Sequence, residues 1–249
     1  MASTAIYRFH AQLGDYQPFV WRRFEASKNI SMAKLAYIVM TLFEMRASHQ
    51  FSLDVPSRDN FMINLREEDR GRPLFMKLAE DMDDRHLGLP DEDDEEDDGF
   101  ENAAELTLGD VLDTPRQHLE LWYDFGDGWR VLLTLEDIYE DKALPGRELP
   151  RVLEGAGYGI IEDCGGPDGL AELAKAMAGK KGPKQEELKQ WYALDGVDLN
   201  RFDLDDMNFR LKKVPRIYRD IYEEDLEPTR QSMDILTRRY LQIKGERLE

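Results

Sequence analysis

The sequence predicts an α+β fold: an antiparallel or mixed sheet from the N-terminal two-thirds, helices packed on it, and a helical C-terminal part. Strand-like alternation dominates before residue 140 and helical spacing dominates after it. We expect one α+β domain over residues 1–211, with a disordered acidic loop at about 88–103, and a helical C-terminal extension over residues 212–249. A chain of 249 residues can bury a substantial core.

The first 65 residues predict four strands and a helix. Residues 5–13 and 19–26 alternate apolar with polar side chains, which indicates two strands joined by a turn. Ser31 is placed to cap a helix in which apolar residues recur every three or four positions. A third strand is expected at 49–55 and a weaker fourth at 61–65.

The next segment is dominated by acidic residues. Residues 73–88 carry a short helical pattern, and Asp91 to Asp98 is an unbroken acidic run. Adjacent like charges repel one another and cannot bury apolar surface, so this run predicts a disordered surface loop. A role in binding a cation or a basic partner is the alternative, and it would require ordered, convergent carboxylates.

Helical patterns recur in the second half of the chain. The predicted segments are 107–112 (a turn or short helix), 170–178, 184–194 and 203–211, whereas 145–159 is predicted to be irregular. Beyond Pro215, two helical segments separated by Pro228 are expected. They would either pack back on the body or form a homo-oligomer contact.

Composition restricts the classes of partner. The net charge of −19 argues against general nucleic-acid binding, since phosphate contacts come from clustered Lys and Arg. Residues 80–101 contribute −12 of that charge, and residues 1–50 carry +3, which leaves a modest basic patch open. No apolar run approaches the ~20 residues of a membrane span, and a lone cysteine, Cys164, excludes an intramolecular disulfide. We therefore predict a cytoplasmic protein without a membrane partner.

The densest turn chemistry lies in Tyr123–Arg130, between two alternating strands. A two-residue loop would set Phe125 opposite Arg130, apolar against polar. A three-residue loop, Gly126–Gly128, sets Phe125 opposite Trp129 and keeps the apolar side chains on one face, so we predict the three-residue loop. The same register pairs Asp124 with Arg130, an ion pair worth under about 1 kcal/mol at an exposed site.

Four motifs, in this order, resemble the plasmid pRiA4b ORF-3-like family, whose members are also met as passenger proteins of insertion elements. The motifs are Val20–Arg23, His49–Phe51, Tyr123–Trp129 and Glu162–Pro167. The resemblance spans roughly residues 4–211. It implies an α+β fold of helices on a sheet and an association with mobile elements, and it brings no established activity.

The chain departs from the family pattern at one place. Relatives commonly carry further cysteines upstream of the Glu162–Pro167 motif, with proline before its Glu-Asp pair. This sequence instead has Arg-Val-Leu at 151–153 and Ile-Ile at 160–161. The resemblance therefore does not bring a cysteine-cluster metal site to this chain.

The candidate functional cluster flanks the two glycine-rich motifs. Its members are His49, Asp124, Asp127, Trp129, Glu162, Asp163 and Cys164. No pair has diagnostic metal-ligand spacing, so we predict no metal and no cofactor. Cys164 would be a nucleophile only with a lowered pKa and a base such as His49, and the alternative is a small buried residue in a tight turn.

Two further features have structural alternatives. Asp163 is expected to cap the Gly165-Gly166 turn. Asp127, at the tip of the hairpin, has no expected structural role. The glycine-rich turn precedes a helix and could cradle a phosphate, but it lacks the Lys-Ser/Thr of a P-loop.

The triplet Trp21, Arg22 and Arg23 offers an aromatic beside two cations and is a possible partner contact. Strand alternation would put Trp21 and Arg23 on one face. The alternative places Trp21 in the core and ties the arginines to carboxylates at the sheet edge.

The leading hypothesis is a non-catalytic binding module for an unknown protein or small molecule, because no coherent catalytic constellation is present. Its contact surface would lie near the hairpin loop and the turn at 163–169. One alternative is a metal-dependent or hydrolase-like enzyme using His49 with Asp124, Asp127 or Asp163. A nucleic-acid-associated accessory protein is the other, suggested only by the mobile-element association.

Overall fold

Eight strands form one mixed sheet in the computed structural model, which describes residues 5–56, 85–89, 101–179, 182–192, 194 and 197–240. The order across the sheet is β5-β4-β3-β6-β7-β1-β2-β8, and every neighbouring pair is antiparallel except β4 and β5. The strands are β1 (Ile6–Leu13), β2 (Trp21–Ser27), β3 (Phe51–Val55), β4 (Arg85–Gly88), β5 (Glu101–Asn102), β6 (His118–Tyr123), β7 (Trp129–Tyr139) and β8 (Arg151–Ala156).

The helices of the described residues lie mostly after the sheet. They are α1 (Met32–Leu42), α2 (Leu108–Val111), α3 (Gly166–Ala178), α4 (Pro183–Trp191), α5 (Leu204–Leu211), α6 (Val214–Tyr222) and α7 (Arg230–Leu236), with a 3₁₀ turn at Gly146–Glu148. This architecture confirms the predicted α+β class. None of these helices combines the length and the apolar character that crossing a bilayer requires.

The central helix α1 explains where the core sits. The hydroxyl of Ser31 accepts a hydrogen bond from the backbone N–H of Lys34 at 3.1 Å, which confirms the predicted N-cap. All of α1 except Lys34 is buried, because the sheet covers one side and α5 and α6 pack against it as well. A helix that is apolar all round is stable only when it is enclosed in this way.

The β6–β7 hairpin has the predicted faces but not the predicted register. Tyr123 pairs with Trp129, so the loop is five residues long, and Phe125 is 59% exposed rather than opposite Trp129. A shift by two residues leaves every strand side chain on the same face, so alternation could not distinguish the two registers. The longer loop is stabilised locally, since the backbone N–H of Gly128 donates to the carbonyl of Asp124 at 2.7 Å.

The predicted ion pair between Asp124 and Arg130 is wrong for the same reason. Trp122 is the residue opposite Arg130, and the guanidinium lies 5.4 Å from the centre of its ring. Arg130 forms ion pairs with Asp15 at 3.0 Å and with Glu120 at 3.7 Å. Asp124 is turned to the other side of the sheet, towards His49.

Two segments form strands where other structure was expected. Residues 85–88 pair with β3 instead of continuing a helical pattern, and residues 151–156 form β8 inside the stretch predicted to be irregular. The Asn208 side chain binds both backbone groups of Val152 at 3.0 Å, and this long-range contact helps to fix β8. The predictions for 61–65, 73–84 and the acidic run 91–98 lie outside the described residues. At the two ends of the loop predicted at about 88–103, the described residues include Gly88 of β4 and Glu101–Asn102, which form β5.

Arg22 is buried and is not accessible to a partner, contrary to the partner-contact prediction for it. Among the described residues its guanidinium donates to backbone carbonyls alone, those of Trp21, Leu42, Ala156, Gly157 and Tyr158, at 2.6–3.0 Å. It therefore joins β2, the end of α1 and the segment after β8.

The other two residues of the triplet lie on the outer face of the sheet. Trp21 stacks on His10, with ring centres 5.4 Å apart, rather than entering the core. Arg23 is tied to Glu136 and Glu154, as the carboxylate alternative proposed.

The C-terminal segment packs back on the body. Val214, Pro215, Ile217 and Tyr218 of α6 are buried, and the Tyr218 hydroxyl donates to the carbonyl of Met45. Arg238 binds Glu44 at 2.7 Å and Asp206 at 2.7 Å. The apolar stripe of α6 thus serves the same chain's fold, which was one of the two alternatives for this segment.

Replacing Arg22 with methionine should lower the free energy of unfolding by about 3 kcal/mol or more, because buried carbonyls would lose their donor. Urea unfolding measures the change. The matched control is Arg23→Met on the outer face, where loss of partly exposed ion pairs should cost about 1 kcal/mol or less. Equal losses in the two variants would contradict this role for Arg22.

Candidate functional site

The hairpin loop and the glycine-rich turn meet in space. The backbone N–H of Gly165 donates to the carboxylate of Asp127 at 3.2 Å. Gly166 lies so close to the hairpin that a Cβ atom there would be 2.3 Å from the carbonyl oxygen of Asp127. Both glycines have positive φ, 88° and 68°. Two of the four motifs that carry the family resemblance therefore form one surface.

This contact reassigns two predicted roles. Asp127, which was expected to have no structural role, holds the glycine-rich turn. Asp163, which was expected to cap that turn, instead places its carboxylate near His49, with its side chain 79% exposed. The reason is spatial: the turn takes its cap from the neighbouring hairpin rather than from its own sequence.

His49 lies at the centre of a carboxylate cluster, with Nε2 facing three carboxylates from two segments of the chain. Its distances are 3.5 Å to Asp124 Oδ2, 3.6 Å to Glu162 Oε2 and 3.8 Å to Asp163 Oδ1. These separations are longer than hydrogen bonds, so the contacts are electrostatic. The imidazole ring meets the ring of Tyr123 edge-on, with centres 5.7 Å apart.

Glu162 is the buried member of the cluster. Its Oε1 atom accepts hydrogen bonds from the backbone N–H of Arg46 at 2.6 Å and from the Tyr123 hydroxyl at 2.9 Å. Its Oε2 atom has no hydrogen-bond partner among the described residues, and the side chain is only 7% exposed. Burial raises the pKa of Glu162, since it removes water from the charged form.

The segment that carries His49 is held from both sides. The backbone N–H of Ser48 donates to the Tyr123 hydroxyl at 3.2 Å, and the hydroxyl of Tyr222 on α6 donates to the carbonyl of His49. Neither tyrosine stood out in the sequence as a site residue. Tyr123 could have been found from its place in the hairpin motif, whereas Tyr222 is brought here only by the packing of α6.

Backbone conformations of high energy concentrate around this cluster. Four non-glycine residues in its three segments have positive φ: Glu44, Ala47, Asp124 and Asp163, at 54–67°. Such conformations cost about 1–3 kcal/mol each and persist only where surrounding contacts enforce them. In Asp124 the side chain supplies part of that enforcement, because Oδ1 accepts from the backbone N–H of Gly126 at 3.1 Å.

A cavity of about 480 Å³ opens beside the cluster, between the His49 segment and the chain from α6 to α7. Its charged side chains are four acids, Glu162, Asp163, Asp225 and Glu227, and one base, Arg46. Its apolar side is formed by Ile221, Leu226, Pro228, Met233 and Leu236. The C-terminal contribution was missed because nothing in the local sequence of 221–237 indicates that it reaches this point.

Of the seven predicted site residues, Glu162 and Asp163 line the cavity, whereas Trp129 and Cys164 have structural places. Trp129 is fully buried in the core opposite Tyr123. Burial raises the pKa of the Cys164 thiol to about 12, and the thiol donates to the carbonyl of Gly166. A thiol that stays protonated at neutral pH is a poor nucleophile. The alternative expected for Cys164, a small residue packed in a tight turn, agrees with its place.

The described part of the chain contains no set of side chains suited to bind a metal ion. No group of three or more His, Cys, Asp and Glu side chains there is arranged to hold a metal ion.

Replacing Gly166 with alanine should lower the free energy of unfolding by about 2 kcal/mol or more, because a Cβ would collide with the hairpin backbone at a positive φ. Gly146→Ala is the matched control, since a Cβ there meets nothing within 4 Å. Denaturant titration of both variants measures the difference. A loss in Gly146→Ala as large as that in Gly166→Ala would contradict the close approach.

Replacing Glu162 with glutamine should raise the melting temperature at about pH 8. A raised pKa means that the folded protein holds the proton more tightly than the unfolded chain, so stability falls as pH rises from the ordinary value of 4.5 through the raised value. Glutamine removes the charge and keeps an acceptor for Arg46 and Tyr123.

Calorimetry at about pH 8 and about pH 5 measures the effect, which should shrink at the lower pH. The matched control is Glu172→Gln, an exposed position on α3. A melting temperature lowered equally at both pH values would show that the Glu162 charge does not destabilise the fold.

Similarity to known proteins agrees with this architecture. The model of the plasmid pRiA4b ORF-3-like protein family matches residues 5–209. The uncharacterized protein y4hQ of Sinorhizobium fredii is 33% identical over 196 residues, which are 78% of this chain and 84% of that protein.

A solved structure, the protein of unknown function MM3350 from Methanosarcina mazei Go1, is similar with a TM-score of 0.62. The similarity covers 82% of this chain and 98% of that chain at 19% identity, so it shows the fold alone. The family match and the sequence relative together confirm the resemblance inferred from the four motifs. This chain belongs to the plasmid pRiA4b ORF-3-like protein family.

Proposed function

We propose that the protein is a non-catalytic, cytoplasmic binding module whose ligand is a positively charged organic molecule held in the cavity at Glu162. The observation that carries the proposal is the Oε2 atom of Glu162, which is buried, lies 3.6 Å from His49 Nε2 and has no hydrogen-bond partner among the described residues. A buried carboxylate is costly until a donor or an opposite charge meets it. An ammonium or guanidinium group of a ligand would supply both.

The electrostatics of the cavity favour a cation. Four carboxylates and a single guanidinium line it, so the local charge attracts positive ligands and repels anions. Asp163 is well placed to meet an entering ligand, because its side chain is 79% exposed while Glu162 lies deeper. Together the two carboxylates offer oxygen acceptors at different depths along one wall.

His49 organises the carboxylates of this site. Its Nε2 atom lies within 3.8 Å of three carboxylate oxygens, so a proton on the imidazole would lower their mutual repulsion. In the described part of the chain, this nitrogen faces carboxylates rather than a hydroxyl or thiol nucleophile. That arrangement favours binding over hydrolysis through a covalent intermediate, which requires a nucleophilic side chain in contact with its base.

The outer face of the sheet gives little support to the alternative of a nucleic-acid-binding protein. Arginines there are already paired with carboxylates, Arg8 with Glu25 at 3.0 Å and Arg23 with Glu136 at 2.7 Å. Phosphate binding requires cations whose charge is not already neutralised by neighbours. The charge of these arginines is therefore already neutralised by neighbouring carboxylates.

Calorimetric titration with alkylammonium ions and an alkylguanidinium tests the proposal, with alcohols of the same shape as neutral controls. We expect the cations to bind and to raise the melting temperature, and the alcohols to do neither. Glu162→Gln should weaken binding about 10-fold or more, since a hydrogen bond to a charged group is worth about 1.5–3 kcal/mol.

The control Glu172→Gln changes the same side chain on the exposed surface of α3 and should leave the affinity unchanged. If no cation binds, or if Glu162→Gln binds as tightly as the unmodified protein, the proposed function is wrong.

A further inference from the structure

One wall of the cavity exposes apolar side chains. We call Ile221, Leu226, Met233 and Leu236 the C-terminal wall. Leu226 is 56% exposed and Met233 is 41% exposed, so both leave hydrocarbon in contact with water at the cavity. Covering such surface with a ligand releases that water, which stabilises the complex.

The two sides of the cavity come from different parts of the chain. Glu162 and Asp163 lie within residues 5–209, which the family model matches, whereas the C-terminal wall lies beyond that match. Glu162 and Asp163 therefore belong to the family domain, whereas the apolar wall, with Asp225 and Glu227 beside it, belongs to the segment that follows.

The wall is fixed relative to the charged side. Tyr222, the neighbour of Ile221 in sequence, donates to the carbonyl of His49. At the other end of the wall, Arg238 binds Glu44 at 2.7 Å, two residues after Leu236. The wall is thus held against the same segment, 44–49, that positions the carboxylate cluster, and a site held in this way binds with less loss of conformational freedom.

We propose that the ligand is an aliphatic amine, with its ammonium group at Glu162 and Asp163 and its hydrocarbon chain on the C-terminal wall. This inference rests on the proposed function and names its ligand class. Asp225 and Glu227, at the wall's edge, repel carboxylates, so fatty acids of the same length are excluded. The C-terminal segment is accordingly the part of the chain that selects the hydrocarbon.

The test measures affinity along a series of straight-chain amines from butylamine to octylamine. Each methylene buried on the wall should tighten binding about two- to fourfold. The double variant Leu226→Ser, Met233→Ser should flatten this dependence while leaving butylamine binding within about twofold. Because both side chains are exposed, the variant keeps its core, and its melting temperature without ligand verifies that.

Leu204→Ser is the matched control. It removes a leucine that is 39% exposed on α5, outside the cavity, and should preserve the chain-length dependence. If the amines bind through Glu162 with no chain-length dependence, or if the double variant keeps the full dependence, the inference is overturned and the proposed function stands. If no amine binds but the alkylguanidinium does, the inference is overturned and the proposed function stands. If neither kind of cation binds, both are overturned.

Discussion

The carboxylate of Glu162 is the interaction on which the rest of the site depends. Its Oε1 atom accepts from the backbone of Arg46 and from the hydroxyl of Tyr123, and its Oε2 atom faces His49. One side chain thereby joins the segment after α1, the end of β6 and the glycine-rich turn. These contacts of Glu162 fix the positions of the segments that carry the carboxylates around His49.

This arrangement stores unfavourable free energy in a small volume. Positive φ values at residues such as Ala47 and Asp163, a buried oxygen without a donor, and a raised pKa at Glu162 all disfavour the folded state locally. Proteins retain such unfavourable features mainly at functional sites, where a bound ligand can remove part of their free-energy cost. The proposed cation relieves the electrostatic part.

Contacts remote from the site offset that cost. Arg22 satisfies five backbone carbonyls around the end of α1 and the chain after β8. Arg238 binds Glu44 and Asp206, which connects the C-terminal segment to both the His49 segment and α5. Each of these buried or half-buried cations is fully occupied with internal partners, so they maintain the geometry of the cavity rather than contacting a ligand.

The sequence by itself determined the α+β class, the Ser31 cap, the faces of the β6–β7 hairpin and the motifs that meet at the site. These follow from local periodicity and turn chemistry, which act over a few residues. Only the tertiary structure decided the hairpin register, the burial of Arg22, the partner of Asp124 and the apolar wall of the cavity. Shifting a strand by two residues preserves its faces, and the contacts of Tyr222 and Arg238 join residues more than 170 positions apart, so no local pattern encodes them.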